Sequence, residues 1–295
     1  MDTGVSHQLE PDEQSKKKGK DIMTSLRGKV ALVVGGSSGV GKATVKALLS
    51  EGAHVTAVAR GADNLRVLKT ELGDGLATIQ GDATDSAFAE RLLRELRPDL
   101  VVLAAGVTPR MARVDEFDWE SFSEAWNGDL KASFHLVKQA LTLPLRPGST
   151  VVLVSSGAAV DGSPLSGGYA GAKRMQWFLA GYGQKVSDAK RLGIRMLAVL
   201  PRPIDGTTIG ARAAEVYGKI NGVTAEAFMK RIGVSLDNVA SGPNSCSIAP
   251  AIASAPAGPS SAAEAMSAVR SSTSASRPSS GRRVMALPAN RLASR

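Results

Sequence analysis

The sequence predicts an α/β fold in which helices cover both faces of a parallel sheet. Six short apolar runs recur along the chain, at residues 30–34, 54–59, 77–81, 100–105, 150–156 and 195–200. They are apolar at successive positions, which is typical of strands buried on both faces. Amphipathic stretches separate them, among them 40–51, 86–97, 121–141 and 169–192. Since strands that alternate with helices are joined by right-handed crossovers, the pattern predicts a doubly wound, Rossmann-like sheet.

Three zones of different composition divide the chain. Residues 1–25 are polar and contain a lysine-rich run, so we expect a disordered leader. Residues 26–241 hold all six apolar runs and are predicted to form one Rossmann-like domain. Residues 242–295 are rich in Ala, Ser, Pro and Arg and contain no aromatic residue. Such a segment buries too little apolar surface to offset its ordering entropy, which predicts a disordered tail.

Charge and composition argue against several classes of protein. The chain of 295 residues carries a net charge of +9, but residues 242–295 contribute +5 of it through six Arg and one Glu. Without a recognition motif, this distribution does not indicate specific nucleic-acid binding. A single cysteine, Cys246, excludes an intrachain disulfide. The three histidines lack the spacing of metal ligands, so no metal site is expected.

The chain also lacks the sequence signals of membrane insertion and secretion. No apolar run approaches the ~20 residues that a transmembrane helix needs. The first 25 residues have no apolar core of the kind found in secretory signals. We therefore expect a cytoplasmic protein that has no membrane partner.

A glycine-rich segment follows the first predicted strand directly. It has the spacing G-x-x-x-G-x-G and leads into a predicted helix; its candidate binding residues are Gly35, Ser37, Ser38, Gly39, Val40 and Gly41. Glycines permit a tight turn and a close approach of the backbone to a ligand. The helix after them presents free N–H groups and a positive dipole end to an anion. A strand before and a helix after the glycines favour a dinucleotide-binding turn.

The residue at the end of the second predicted strand indicates which dinucleotide binds. Sites that prefer NAD commonly have an acidic residue here for the ribose 2′-hydroxyl, whereas an arginine accommodates a 2′-phosphate. No acidic residue lies between Gly52 and Gly61, and Arg60 ends the strand. The sequence therefore favours NADP(H) over NAD(H).

Tyr169 and Lys173 are four positions apart on a predicted helix, and so lie on one face of it. An ammonium group beside a phenol favours the phenolate, which can accept or donate a proton at an alcohol or carbonyl oxygen. Ser156 follows a predicted strand, at the carboxyl edge where open α/β sheets bind ligands. Its hydroxyl could hold a substrate oxygen within reach of Tyr169.

With these motifs the chain resembles the short-chain dehydrogenase/reductase family over roughly Leu26–Ile209. The matching pieces are VGGSSGVG at 34–41, Asp82, AAG at 104–106, Ser156, YAGAK at 169–173 and Pro201. The resemblance implies hydride transfer between a nicotinamide and a carbonyl or hydroxyl carbon. It implies Tyr169 as the acid/base, Lys173 as the group that binds the nicotinamide ribose, and Ser156 as the group that orients the substrate.

The same resemblance implies further cofactor contacts. Asp82 and Ala83 would face the adenine, Ala105 and Gly106 would lie along the cofactor, and Ile204 would lie near the carboxamide. It also implies a homodimer through the helix predicted at 169–192.

The chain departs from the family pattern at several places, among them Val34 before the first glycine and Leu103-Ala104 where the family has two asparagines. The helix asparagine that often completes a proton relay aligns with Asp129, and Asn127 lies two residues earlier; the sequence leaves open which of the two serves. Pro201 is followed by Arg202-Pro203 where the family has glycine. The family's last helix and seventh strand have no counterpart after residue 240, so the sheet is expected to lack its closing strand.

Two functions are compatible with these residues. The leading hypothesis is an NADP(H)-dependent oxidoreductase that interconverts a ketone and a secondary alcohol, with a pocket formed by residues 107–120 and 205–232. Apolar residues in those segments suit a partly hydrophobic small molecule: Met111, Phe117, Trp119, Ile209, Tyr217, Phe228 and Met229. The alternative is a non-catalytic NADP(H)-binding sensor or scaffold on the same fold, because a fold does not determine a function.

Overall fold

The computed structural model describes residues 26–241, and the predictions made for 1–25 and 242–295 lie outside this range. Its sheet contains six strands: β1 Val30–Val34, β2 His54–Ala59, β3 Leu76–Gln80, β4 Leu100–Leu103, β5 Thr150–Val154 and β6 Arg195–Val199. All neighbouring strands pair in parallel, in the order β3-β2-β1-β4-β5-β6. The predicted doubly wound parallel sheet is confirmed.

Helices connect the strands. They are α1 Gly39–Ser50, α2 Ala62–Leu72, α3 Ser86–Leu96, α4 Trp119–Ala125, α5 Lys131–Thr142, α6 Ala158–Asp161, α7 Gly167–Ala189, α8 Thr208–Ile220, α9 Ala225–Ile232 and α10 Leu236–Ser241. A short 3-10 turn spans Val114–Glu116, and a π-helical turn spans Trp126–Leu130. None of the helices within residues 26–241 is long and apolar enough to cross a membrane.

The central strand β1 shows why the chain folds into three layers. Ala31, Leu32 and Val33 are fully buried, so the strand is covered on both faces. Ala31 and Val33 belong to one core, which includes residues of α1 and α2. Leu32 and Val34 belong to the other, which includes residues of α3 and α5. Because side chains alternate along a strand, a continuous apolar run supplies both cores at once.

The predicted amphipathic stretch 121–141 is helical throughout, but it is not a regular α-helix. It is divided into α4, the π-helical turn and α5. A π turn inserts a residue into the helical repeat and re-aims the side chains around it. Here the turn contains Asp129, whose side chain is fully buried. The apolar periodicity predicted the flanking helices but not the turn between them.

The predicted strand 100–105 is also shorter in the structure, since β4 ends at Leu103. Ala104 still donates to the carbonyl of Val34, but the chain then passes close over Gly35.

In the described part of the chain, β6 is the last strand and forms an edge of the sheet. After it, the chain forms an isolated parallel bridge between Ile204 and Val234. A seventh strand would follow in the region beyond residue 241, so its expected absence stays a prediction.

Candidate active site

The glycine-rich turn after β1 depends on glycine at its first position. Gly35 has φ of +82°, a conformation that residues with a side chain rarely adopt. A Cβ at this position would lie 2.3 Å from the backbone nitrogen of Ala105. The turn and the segment after β4 therefore pack backbone against backbone.

The last glycine of the motif brings helix α1 close to the same turn. A Cβ at Gly41 would lie 2.0 Å from the carbonyl oxygen of Gly35. Ser38 precedes the helix, and its side chain makes no capping hydrogen bond, so the first N–H groups of α1 are not covered by a side chain. Uncovered N–H groups at a helix start fit the diphosphate of a dinucleotide, as predicted for Ser37, Gly39 and Val40.

Arg60, Asp82 and Ala83 lie at the carboxyl ends of the neighbouring strands β2 and β3. Arg60 is exposed, and no salt bridge engages its guanidinium within the described residues. The pKa of Asp82 is lowered, first because the backbone N–H of Thr84 donates to Oδ1 at 2.9 Å, and further by the charge of Arg60. The two predicted binding residues therefore act on each other electrostatically.

Two adjacent serines follow β5, and the first of them joins the strand to helix α7. Ser155 is buried and donates its hydroxyl to the carbonyl of Lys173 at 2.7 Å. Ser156 is partly exposed, and its Oγ accepts from the backbone N–H of Ala158 at 3.2 Å. Since Ser156 accepts in that bond, its hydroxyl hydrogen can be donated to a substrate oxygen.

Lys173 is a buried charged group of the site. Its side chain is 6% exposed, and Nζ lies 2.9 Å from Oδ2 of Asp129 and 3.1 Å from the carbonyl oxygen of Val154. It also lies 5.6 Å from the ring centre of Tyr169, one helical turn before it. Burial lowers the pKa of Lys173, but the charges of Asp129 and Tyr169 act against burial and raise the pKa above its ordinary value.

Tyr169 lines a small surface depression. Residues from the segment after β4 and from α4 line its other walls, among them Val107, Pro109, Arg110, Phe117 and Phe122. The wall predicted from residues 107–120 thus includes Phe117, whereas Trp119 is 76% exposed. Tyr217 stacks on Phe228, and its hydroxyl is hydrogen-bonded to Ser163. Ser163 in turn contacts Ser166, which lines the depression.

The structure also places the remaining predicted residues. Ala105 and Gly106 follow β4, and a Cβ at Gly106 would lie 2.9 Å from Oδ2 of Asp129. Ile204 is buried after β6. The two candidate relay residues have different surroundings. Asp129 reaches Lys173, whereas exposed Asn127 donates to Ser123 of α4.

Sequence reasoning did not assign Thr207 to the site. This residue caps α8 by accepting from the N–H of Gly210, and its Cγ2 would lie 3.6 Å from a Cβ at Gly39. The start of α8 therefore faces the glycine-rich turn. A threonine just before a helix was a capping signal in the sequence, but its opposition to Gly39 depends on the tertiary fold.

These contacts give the site its chemical capacity. A phenol next to a buried ammonium group can exchange a proton with an oxygen, and a serine hydroxyl at the same sheet edge can hold that oxygen. The glycine-rich turn can hold a dinucleotide. Within residues 26–241, no group of three or more His, Cys, Asp or Glu side chains could hold a metal ion.

Comparison with solved structures agrees with the fold. The fold superposes on levodione reductase with a TM-score of 0.63 at 24% sequence identity, covering 72% of this chain and 87% of the other. NAD+-bound xylitol dehydrogenase gives a TM-score of 0.63 at 20% identity, covering 73% and 90%. Both likenesses concern the fold.

Curated relatives extend the comparison to sequence. Glycine betaine reductase ATRR of Emericella nidulans is 34% identical over 215 residues, which are 67% of this chain but 16% of that longer protein. The uncharacterized oxidoreductase YghA of Escherichia coli is 28% identical over 219 residues, or 70% of this chain and 73% of the relative. The sequence profile of the short-chain dehydrogenases matches residues 29–217. The chain therefore belongs to the short-chain dehydrogenase/reductase family.

Proposed function

We propose that the protein is an NADP(H)-dependent oxidoreductase that interconverts a ketone and a secondary alcohol. The single observation that carries the proposal is the position of Tyr169 beside the buried ammonium of Lys173, at the rim of a small depression. The membership of the family supports the reaction class.

A dinucleotide held at the glycine-rich turn would supply the hydride for the carbonyl carbon in the proposed reduction. Tyr169 donates its phenolic proton to the carbonyl oxygen, which becomes the alcohol hydroxyl. Ser156 donates a hydrogen bond to the same oxygen and orients it. Lys173 stabilises the phenolate that remains, because its ammonium group lies over the ring.

The preference for NADP(H) rests on Arg60. Its exposed guanidinium follows β2 and makes no salt bridge within the described domain, so it is available to a 2′-phosphate. Lys42 of α1 is a weaker candidate, because it already pairs with Glu71 at 2.5 Å. NAD(H) is the alternative coenzyme.

The depression beside Tyr169 supports a small and partly hydrophobic substrate. Phe117, Phe122 and Val107 supply apolar walls. Arg110 is the basic residue of the lining and lies over the ring of Phe117, with 5.4 Å between Cζ and the ring centre.

The function is tested by Tyr169→Phe, assayed for NADPH oxidation against a panel of ketones. We expect turnover to fall by a factor of about 10² or more, as for loss of a general acid, while NADPH binding changes little. Tyr182→Phe is the matched control, because Tyr182 is a half-exposed tyrosine on the same helix. Full turnover without the phenol of Tyr169 would contradict the proposal. Tight NADPH binding by the unaltered protein with no turnover on any ketone would favour the non-catalytic sensor.

We further propose that the protein is a homodimer through α7. Phe178, Tyr182 and Val186 of this helix recur every four residues and are 42%, 53% and 37% exposed. Phe134 of the neighbouring α5 is 48% exposed. An apolar stripe on one helix face is typical of a surface that another protein covers.

A further inference from the structure

The pair formed by Lys173 and Asp129 is unusual in its burial. Their side chains are 6% and 0% exposed, and their charged atoms are 2.9 Å apart. The other seven salt bridges of the described domain each contain a partner that is at least 37% exposed. A buried charge is costly unless an opposite charge and further hydrogen bonds compensate it.

The main chain around Asp129 holds it in place from two sides. Its Oδ1 accepts from the backbone N–H of Val107 at 2.8 Å, which joins it to the segment after β4. Its carbonyl oxygen accepts from Ser133 at 2.7 Å and from Gln176 of α7 at 3.2 Å. Gln176 is fully buried and also donates to Ser133. The carboxylate therefore has little freedom to leave Lys173.

Gly106 leaves the space that the carboxylate occupies. A Cβ there would lie 2.9 Å from Oδ2, the same oxygen that pairs with Lys173. The segment that follows β4, the π-helical turn and α7 thus meet at Asp129. Two of these three elements also line the depression beside Tyr169.

We propose that Asp129 is a positioning residue that keeps the buried Lys173 charged and directed at Tyr169. The catalytic part of this proposal rests on the oxidoreductase function proposed above, whereas the pairing itself does not. Asparagine, the family's usual residue here, could make the hydrogen bond to Val107 but could not compensate the lysine charge.

The negative charge of Asp129 matters for the protonation of Lys173, because few other groups face the lysine. Asp129 comes from the π-helical turn and Tyr169 from α7 itself, while β5 contributes the carbonyl of Val154. Burial alone lowers the pKa of Lys173, and the opposing charges raise it. Without Asp129 the lysine would lose its proton at lower pH, and Tyr169 would lose the neighbouring ammonium.

The first arm of the test measures pairing without activity. Asp129→Asn, Lys173→Met and the two combined are compared by thermal unfolding of the full chain at neutral pH. Each single change leaves one buried group without its partner, so we expect the combined variant to lose less in Tm than the sum of the two losses. If Asp129→Asn does not fold, folding of the combined variant supports the pair. Additive losses, or failure of the combined variant alone to fold, would overturn the proposal.

The second arm measures the pH dependence of kcat for Asp129→Asn. We expect the alkaline decrease of kcat to begin at lower pH in this variant. The ratio of kcat at pH ~9.5 to kcat at pH ~7.5 should therefore be about tenfold smaller than in the unaltered protein. Asp99→Asn is the control, because Asp99 pairs with exposed Arg146 before β4. An alkaline decrease of kcat at the same pH as in the unaltered protein would overturn the catalytic part of the proposal. Absence of turnover in the unaltered protein would refute the proposed function, while the first arm still decides the pairing.

Discussion

Single residues determine what this site can bind and which proton it can move. Gly35 and Gly41 leave room where any side chain would collide with backbone. Lys173 and Asp129 form a buried pair, with 2.9 Å between Nζ and Oδ2. Arg60, in contrast, is exposed, so its contribution depends on the ligand that it meets. The buried residues build the site, and the exposed arginine is the residue proposed to discriminate between coenzymes.

Arg60→Ala is expected to weaken NADPH binding about tenfold to a hundredfold and to leave NADH binding within about threefold. The reason is the loss of a charge-assisted hydrogen bond to phosphate, worth roughly 1.5–3 kcal/mol. Fluorescence titration of both coenzymes measures the effect. Arg66→Ala is the control, since Arg66 pairs with Asp63 on the exposed side of α2. Equal weakening of both coenzymes would refute the assignment of Arg60 to the 2′-phosphate.

At the scale of elements, the contact of α4 and the π-helical turn with α7 sets the position of Tyr169. Trp126 donates its indole N–H to the carbonyl of Gly168 at 2.9 Å. A Cβ at Gly168 would lie 1.9 Å from the carbonyl oxygen of Phe122. Tyr169 is the next residue, so the close approach of the two helices fixes the first turn of α7.

Gly168→Ala is expected to lower the free energy of unfolding by about 1–3 kcal/mol and to reduce kcat, because the new methyl group pushes α7 away from α4. Gly181→Ala on the same helix is the matched control. A Cβ at Gly181 meets nothing within 4 Å, so we expect it to raise stability by up to about 1 kcal/mol. Chemical denaturation and steady-state kinetics measure both variants. Equal effects of the two changes would show that the contact does not position Tyr169.

At the scale of the whole molecule, the two cores are covered by the chain itself, whereas one face of α7 is not. The cores on either side of β1 are closed by helices within the chain. The face of α7 with Phe178 and Tyr182 remains half-exposed. The two rings stack on each other with their centres 6.1 Å apart, which leaves a flat apolar surface.

Phe178→Asp is expected to shift the protein from dimer to monomer, because a carboxylate placed in an apolar interface cannot be compensated by the same residue of a second copy. Size-exclusion chromatography with light scattering gives the mass. Val67→Asp is the control, a 63% exposed valine on α2. A monomeric unaltered protein, or a variant that stays dimeric, would refute the proposed interface.

The sequence by itself determined the strands, the glycine-rich turn and the pairing of Tyr169 with Lys173 on one helix. These features are local: a doubly buried strand is a continuous apolar run, and a spacing of four residues places side chains on one helix face. The assignment of Arg60 also came from its position after a strand.

Only the tertiary structure decided what surrounds Lys173. The π-helical turn at Trp126–Leu130 breaks a periodicity that predicted one helix, and it turns Asp129 rather than Asn127 inward. The meeting of Val107, Asp129 and Lys173 joins residues that are far apart in the chain. Burial and a counter-charge are properties of that meeting, so no sequence spacing could have predicted them.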